Sequence, residues 1–197
     1  MSASPSLTAA EFWLVRHGQT DWNLERRFQG HTDIPLNALG IVQARELAAS
    51  LNGSRISAVY SSDLSRAIQT AAILAADSNL PVIQDKRLRE ISMGEWEGKI
   101  WQDVNQQLTK EMMELKNDPV NSRAAGGESL AEVALRVREF ATEIADRHAG
   151  QIVLLVSHGL SLGALHCMAA GLPLSQARDM IPQNCSIVKV NWPLQEN

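Results

Sequence analysis

Two short apolar runs, one toward each end of the chain, break abruptly into the same dipeptide. Phe12-Trp13-Leu14-Val15 runs into Arg16-His17-Gly18, and Ile152-Val153-Leu154-Leu155-Val156 runs into Ser157-His158-Gly159. Runs this short, continuous and bounded read as strands buried on both faces. That burial is typical of a parallel sheet covered by helices. A third run, Ile56 to Tyr60, ends in Ser61-Ser62-Asp63-Leu64-Ser65-Arg66, which places Arg66 in the first turn of a following helix. Open α/β sheets bind their ligands beyond the carboxyl ends of the strands. If the three strands are parallel neighbours, that edge gathers Arg16, His17, Arg66 and His158. Guanidinium groups grip phosphate in a planar, bidentate way, and a neutral imidazole beside them can attack phosphorus. One Arg-His-Gly tripeptide alone would read as a strand end with a surface histidine. The recurrence is what points to a site for a phosphate dianion.

The segments between these runs supply the layers. Asp21 to Gly30 reads as a polar loop. Pro35 and Asn37 lead into a helix from about Ala38 to Leu51, with Leu39, Val42, Leu47 and Leu51 expected on one buried side and Asn52-Gly53 closing it. After the Ile56–Tyr60 strand comes an alanine-rich helix to about Ala76, then a short strand at Pro81-Val82-Ile83. This rhythm predicts an α/β fold, a three-layer α/β/α sandwich with a mostly parallel, doubly wound sheet. From Arg89 to Gly127 the rhythm stops. Trp101, Val104, Leu108, Met112 and Leu115 recur at helical spacing until Asp118-Pro119. Residues of about 92–127 are therefore expected to form a small lid insertion over the strand ends, its tryptophans and methionines serving first as packing. Ser129-Leu130-Ala131-Glu132 is a capping box that opens a helix to about His148, with Leu130, Val133, Val137, Phe140 and Ile144 buried. A helix from Leu160 to Ala170 follows the Ile152–Val156 strand, and Ser186 to Val190 alternates like a last strand near an edge. Without repeats, low-complexity tracts or linkers, residues 1–197 are expected to form a single domain.

Bulk properties exclude several classes. The composition, 45% hydrophobic and 20% charged over 197 residues, is that of an ordinary globular chain able to bury a full core. A net charge of −4 argues against nucleic acid as the main partner. Met1 to Ala10 has no basic start or apolar core of signal-peptide length, and no apolar run approaches the ~20 residues of a membrane span. A soluble cytoplasmic protein with no membrane partner is expected. Cys167 and Cys185 need not pair in a chain of this size, and Cys167 reads as a buried free thiol. The histidines and cysteines show no zinc-ligand spacing. Gly159-Leu160-Ser161-Leu162-Gly163 fits the nucleophile-elbow pattern, but the only later histidine, His166, shares a predicted helix with Ser161 and cannot fold back as its base. The elbow is rejected.

Several motifs occur in one order: Leu14-Val15-Arg16-His17-Gly18 with Trp22-Asn23, Ser61-Ser62-Asp63-Leu64-Ser65-Arg66-Ala67-Ile68-Gln69-Thr70-Ala71, Leu88-Arg89-Glu90-Ile91 with Gly94 and Glu97-Gly98, Gly127-Glu128-Ser129, and Ser157-His158-Gly159. In this set and order the chain resembles the histidine phosphatase superfamily (phosphoglycerate mutase-like), and within it the broad-specificity phosphatases. The resemblance implies His17 as the nucleophile that becomes phosphohistidine, with Arg16, Arg66 and His158 on the phosphoryl oxygens. It also implies Asn23, Gln29, Gly30 and Gly159 as substrate-binding positions, and Glu90 as the general acid. The run Lys86-Arg87-Leu88-Arg89-Glu90 reads equally as a solvated charged stretch, and Glu95 and Glu97 are the next candidates for the acid. Arg87, Arg89 and Arg123 are candidates to grip a second acidic group, with surface placement the better reading.

Mutases of this family are longer and carry paired arginines between the glutamate region and the last histidine. Lys99 to Gly126 holds one arginine, Arg123. The expected function is therefore a phosphatase acting on a small phosphorylated metabolite, with no cofactor and no metal, and with a homodimer left open. The alternatives are a cofactor-dependent phosphoglycerate mutase and a non-catalytic phosphate-binding relative.

Overall fold

The computed structural model describes residues 9–107 and 110–193. Five strands form one sheet in the order β3-β2-β4-β1-β5: β1 (Ala10–Arg16), β2 (Ile56–Ser61), β3 (Val82–Gln84), β4 (Ile152–Ser157) and β5 (Ile187–Trp192). The first four run parallel, and β5 pairs antiparallel with β1 at the edge. The expected α/β sandwich is what the chain forms. Alternation along the central strands sends side chains to both faces, which makes two cores. Phe12, Leu14, Tyr60, Val153 and Leu155 pack under α6 (Leu130–Arg147) and α7 (Gly159–Ala169). Trp13, Val15, Val59, Leu154 and Val156 pack under α2 (Ala38–Ser50) and α3 (Ser65–Ala75). Leu14, Leu154 and Leu155 are fully buried, so truncating any of them to alanine would cost about 2–5 kcal/mol.

The Ser129–Glu132 capping box forms, and the five apolar positions expected to be buried on α6 are buried. Asn37 caps α2 by accepting from the Gly40 amide. The buried face of α2 differs from expectation. Leu39 and Val42 are 49% and 46% exposed, and the inward residues are Gly40 and Ala44, with Leu51 just beyond. The reason is a backbone contact: a Cβ on Gly40 would stand 2.1 Å from the Gln19 carbonyl oxygen, and one on Gly18 would stand 2.5 Å from the Gly40 carbonyl oxygen. The loop after β1 needs the helix so close that only glycine fits, and this turns the branched residues outward.

Two other segments depart from the sequence reading. Thr20 and Asn23 form a reciprocal cap on a short helix, α1 (Asp21–Leu24), where a loop was expected. The stripe from Trp101 to Leu115 is divided between α4 (Trp101–Gln106) and α5 (Lys110–Asn117). Leu108 lies outside the described residues, and Trp101 is 42% exposed. Trp96, Val104, Met112 and Ala124 form a small third core, with Phe28, Met93 and Leu115 packed against it. Among the described residues no helix is long and apolar enough to cross a membrane. Cys167 is a buried free thiol, and Cys185 is also unpaired.

Candidate active site

The parallel order β2-β4-β1 delivers three loops to one point. His17 follows β1, His158 follows β4, and Arg66 stands in the first turn of α3 after β2. The two imidazole rings lie 5.1 Å apart, tilted by 58°. His17, His158 and Arg66 are 3%, 0% and 0% exposed. His17 Nδ1 lies 2.7 Å from the Gly18 carbonyl oxygen. That contact assigns a proton to Nδ1, so in the neutral ring Nε2 carries the free lone pair. His158 is the opposite case. Its Nδ1 accepts from Arg66 Nε at 3.2 Å, so its proton sits on Nε2, which is buried and has no partner among the described residues. One ring thus presents a lone pair and its neighbour an unpaired N–H.

Burial, reinforced by Arg66 and Arg16, holds the His17 pKa well below the ordinary histidine value, against a smaller opposing effect of the Gly18 carbonyl. Burial and Arg66 are also the main causes of the low pKa of His158, with further contributions from His17, Arg136 and Arg16. Desolvation is the larger cause for both rings, and the arginine charges add to it.

The Arg66 guanidinium is itself anchored. Nη1 donates to the Thr32 carbonyl and Nη2 to the Gly30 carbonyl, each at 2.8 Å. With Nε on His158, a bond from each nitrogen fixes the plane, and one hydrogen on each Nη stays uncommitted. Burial lowers its pKa to about 10, partly offset by Glu90, Asp33 and Glu97, which leaves it cationic at neutral pH. Arg16 donates through Nη1 to the Pro182 carbonyl at 3.3 Å, and its buried Nε has no partner among the described residues.

Glu90 reaches the same edge from the other side. Its carboxylate accepts from the amides of Leu160 at 3.1 Å and Ser161 at 3.3 Å in the first turn of α7, and from its neighbour Ile91 at 2.9 Å. A carboxylate there also meets the positive end of the α7 dipole. Its charge is felt by both Arg16 and Arg66. Glu97, a rival for the acid role, is otherwise engaged. It accepts from the amides of His31, Thr32 and Met93 and from the Thr32 hydroxyl. Burial pushes its carboxyl up, but those bonds outweigh it and leave the pKa below the usual glutamate value. Glu95 is exposed.

The remaining candidates are placed as follows. Asn23 accepts through Oδ1 from the Thr20 amide and hydroxyl, so that oxygen serves the α1 cap. Gln29 has a buried Oε1 with no partner among the described residues. Gly30, at φ +51°, turns its carbonyl to Arg66, and a Cβ there would stand 2.1 Å from Glu97 Oε1. Gly159 opens α7, its Cβ position 3.3 Å from Glu90 Oε2. Arg87 pairs with Asp85 and Glu143, Arg89 with Asp63, and Arg123 with Glu132. Each of the three arginines that could have gripped a second acidic group therefore already holds a carboxylate. Ser161 donates its hydroxyl to the Arg89 carbonyl and His166 stays on α7 with it, in keeping with the rejected elbow. Among the described residues no group of three or more His, Cys, Asp or Glu is arranged to hold a metal ion.

Several supporting residues went unread in the sequence. Thr70, one turn after Arg66, donates to the Arg66 carbonyl and accepts from the Gly18 amide. Their i,i+4 spacing on one helix face was a usable signal. Asp33 caps α3 from outside by accepting from the Ser65 amide and hydroxyl. Asn184 donates to the His17 carbonyl. Arg136 on α6 donates to the carbonyls of Arg87, Arg89 and Glu90 and to the Glu128 carboxylate. No local pattern marks these last three.

Residues 12–196 match the histidine phosphatase superfamily (branch 1). A probable phosphoglycerate mutase GpmB of Shigella boydii serotype 18 is 39% identical over 182 residues, covering 92% of this chain and 85% of that protein. Two solved structures share the fold. One, a putative α-ribazole-5'-P phosphatase from Escherichia coli, has a TM-score of 0.85 and 30% identity, covering 93% of this chain and 90% of that one. The other, a mycobacterial glucosyl-3-phosphoglycerate phosphatase in complex with VO3, has a TM-score of 0.83 and 31% identity, covering 91% and 90%. With two such histidines at one sheet edge and a match over nearly its whole length, the chain belongs to the histidine phosphatase superfamily.

Proposed function

We propose that the protein is a phosphomonoesterase that works through a phosphohistidine on His17. The observation that carries this reading is the complementary pair of rings: His17 with Nε2 free as a lone pair, and His158 with an unpartnered buried Nε2. His17 Nε2 attacks phosphorus as the ester P–O bond breaks. Arg16, the free Arg66 hydrogens and the His158 N–H hold the phosphoryl oxygens while charge spreads over them. Protonated Glu90 gives its proton to the departing alkoxide. Water then attacks the phosphohistidine, Glu90 takes back a proton, and the P–N bond breaks to leave phosphate and free His17. Asn23, through its Nδ2, and Gln29, Gly30 and Gly159 line the approach to the phosphate. The 92–127 insertion acts as a lid over it, the substrate is a small phosphorylated metabolite, and the site is cytoplasmic.

Arginines take the charge-neutralising role a metal plays elsewhere, so hydrolysis is expected to persist in excess chelator. Loss of activity restored by magnesium or zinc would count against this site. The mutase reading is favoured by the name of the Shigella relative. Against it, Arg87, Arg89 and Arg123 are each occupied by a carboxylate. Incubation with 3-phosphoglycerate and a bisphosphoglycerate primer separates the two. The phosphatase releases inorganic phosphate and is indifferent to the primer, whereas efficient conversion to the 2-isomer would reverse the choice.

A further inference from the structure

Arg66 can hold a phosphoryl oxygen only as accurately as its own anchors are held. Two of those anchors are backbone carbonyls, Thr32 on Nη1 and Gly30 on Nη2. The Gly30 carbonyl shares a peptide plane with the His31 N–H, and in a trans peptide the two groups point in opposite directions. That N–H donates to Glu97 Oε1 at 2.9 Å. A single peptide therefore joins a carboxylate to a guanidinium, its N–H on the first and its C=O on the second. Thr32 is held in a parallel way. Its amide at 2.9 Å and its hydroxyl at 2.6 Å donate to Glu97 Oε2, while its carbonyl takes Arg66 Nη1. Each carboxylate oxygen of Glu97 thus supports the anchor of one Arg66 Nη.

The contact is built into the backbone on both sides. The Met93 amide also donates to Oε1, at 3.1 Å, so four donors converge on this one carboxylate. At Gly30, φ is +51° and a Cβ would stand 2.1 Å from Glu97 Oε1, so only glycine lets the carboxylate lie this close to the chain. The segment that carries Glu97 reaches the loop by its own pairing. The Gly98 amide donates to the Phe28 carbonyl at 2.8 Å, and the Phe28 amide to the Lys99 carbonyl at 3.1 Å. Those backbone bonds do not involve the Glu97 side chain, which can therefore be changed without detaching the segment.

We propose that Glu97 is a positioning residue for phosphoryl transfer: through the Gly30–Thr32 backbone it sets the plane of the Arg66 guanidinium. The inference rests on the phosphatase reading above. Glu97→Gln keeps the size and exchanges one acceptor oxygen for an NH2 donor. Whichever way that amide turns, the new donor faces a backbone N–H, of His31 and Met93 or of Thr32. The variant should lower kcat/KM about 10–10²-fold. The factor should be the same for ethyl phosphate and nitrophenyl phosphate, because Arg66 holds the phosphoryl oxygens of both. A loss confined to ethyl phosphate would make Glu97 a proton donor and overturn the proposal, as would no loss at all. The decisive comparison uses Arg66→Met, which should itself cost ~10²–10³-fold. In that background Glu97→Gln should change kcat/KM less than about twofold. A structural role that does not act through Arg66 would leave the two losses multiplicative, and that result would refute the inference. Thr32→Val removes one of the four bonds at nearly constant shape and replaces Glu97→Gln if the latter does not fold. It should cost about threefold with Arg66 present and nothing in the Arg66→Met protein, and equal losses in both would refute the proposal. Should no ester turn over, the phosphatase reading fails by itself, and calorimetry with inorganic phosphate still decides the role of Glu97. Glu97→Gln should then weaken phosphate binding about tenfold where Arg66 is present and leave it unchanged in Arg66→Met, whereas unchanged affinity in both would refute the positioning.

Discussion

At the carboxyl edge of the sheet, His17, His158 and Arg66 are at most 3% exposed, and each has a ring or guanidinium nitrogen tied to a backbone carbonyl or to one another. In the 92–127 insertion, Trp101 and Met113 stand 42% and 49% exposed, on helices of only 6 and 8 residues. The edge is built on long-range parallel pairing and buried hydrogen bonds, so its geometry is over-determined. The helices of the insertion rest on a small core shared with Phe28 and Met93, whereas its Glu97 holds the His31 and Thr32 amides beside the Thr32 carbonyl that anchors Arg66. Under the proposed function, chemistry belongs to the first region and choice of substrate to the second.

The largest effect that would break this division is at His17. His17→Ala should abolish the acid-labile phosphoenzyme and lower turnover by about 10⁴-fold or more; a variant that still became labelled from a phosphate ester would show the nucleophile to be elsewhere. Next comes Glu90→Gln, which keeps size and removes the titrating proton. It should lower kcat/KM for alkyl phosphates by ~10²–10⁴-fold and for nitrophenyl phosphate far less, because a phenolate leaves without a proton. Equal losses would disqualify Glu90 and turn attention to Glu95 and Glu97.

Arg136 sharpens the comparison, since it ties α6 to the backbone that carries Glu90. Arg136→Leu strands those carbonyls and Glu128, at a cost of roughly 2–4 kcal/mol in a urea titration. Its kcat/KM for alkyl phosphates should also fall more than that for nitrophenyl phosphate, a pattern a purely structural role would not give.

The histidines carry a pH signature of smaller size. Both are held neutral in the folded state well below their ordinary value. Below the unfolded-state pKa of about 6.5, the unfolded chain therefore binds protons that the folded chain refuses. Stability should fall as pH drops from there toward the folded pKa values, by about 1.4 kcal/mol per pH unit per histidine at most. Urea midpoints at successive pH values, compared with those of His158→Gln, measure this, and an unchanged slope in the variant would remove His158 as a source. The smallest effect belongs to the insertion: Met113→Gln should shift stability by no more than ~0.5 kcal/mol and leave ethyl phosphate hydrolysis unchanged.

Local pattern alone determined the elements that carry the site. Continuous apolar runs required buried strands, His-Gly after two of them marked the edge, and Ser129 to Glu132 announced the start of α6. Those signals are legible because each depends on neighbours within a turn or a strand. What only the tertiary structure decided is contact between distant segments. The 3.6-residue period of α2 admits a face with Leu39 and Val42 as well as one with Gly40 and Ala44. The choice fell to the loop at Gly18 and Gln19, which the helix must approach within glycine's reach. The partners that fix Arg66, the Gly30 and Thr32 carbonyls and His158, lie 36, 34 and 92 residues away. Periodicity carries no information about such pairings, because they follow from strand order and the satisfaction of buried polar groups once the chain has closed on itself.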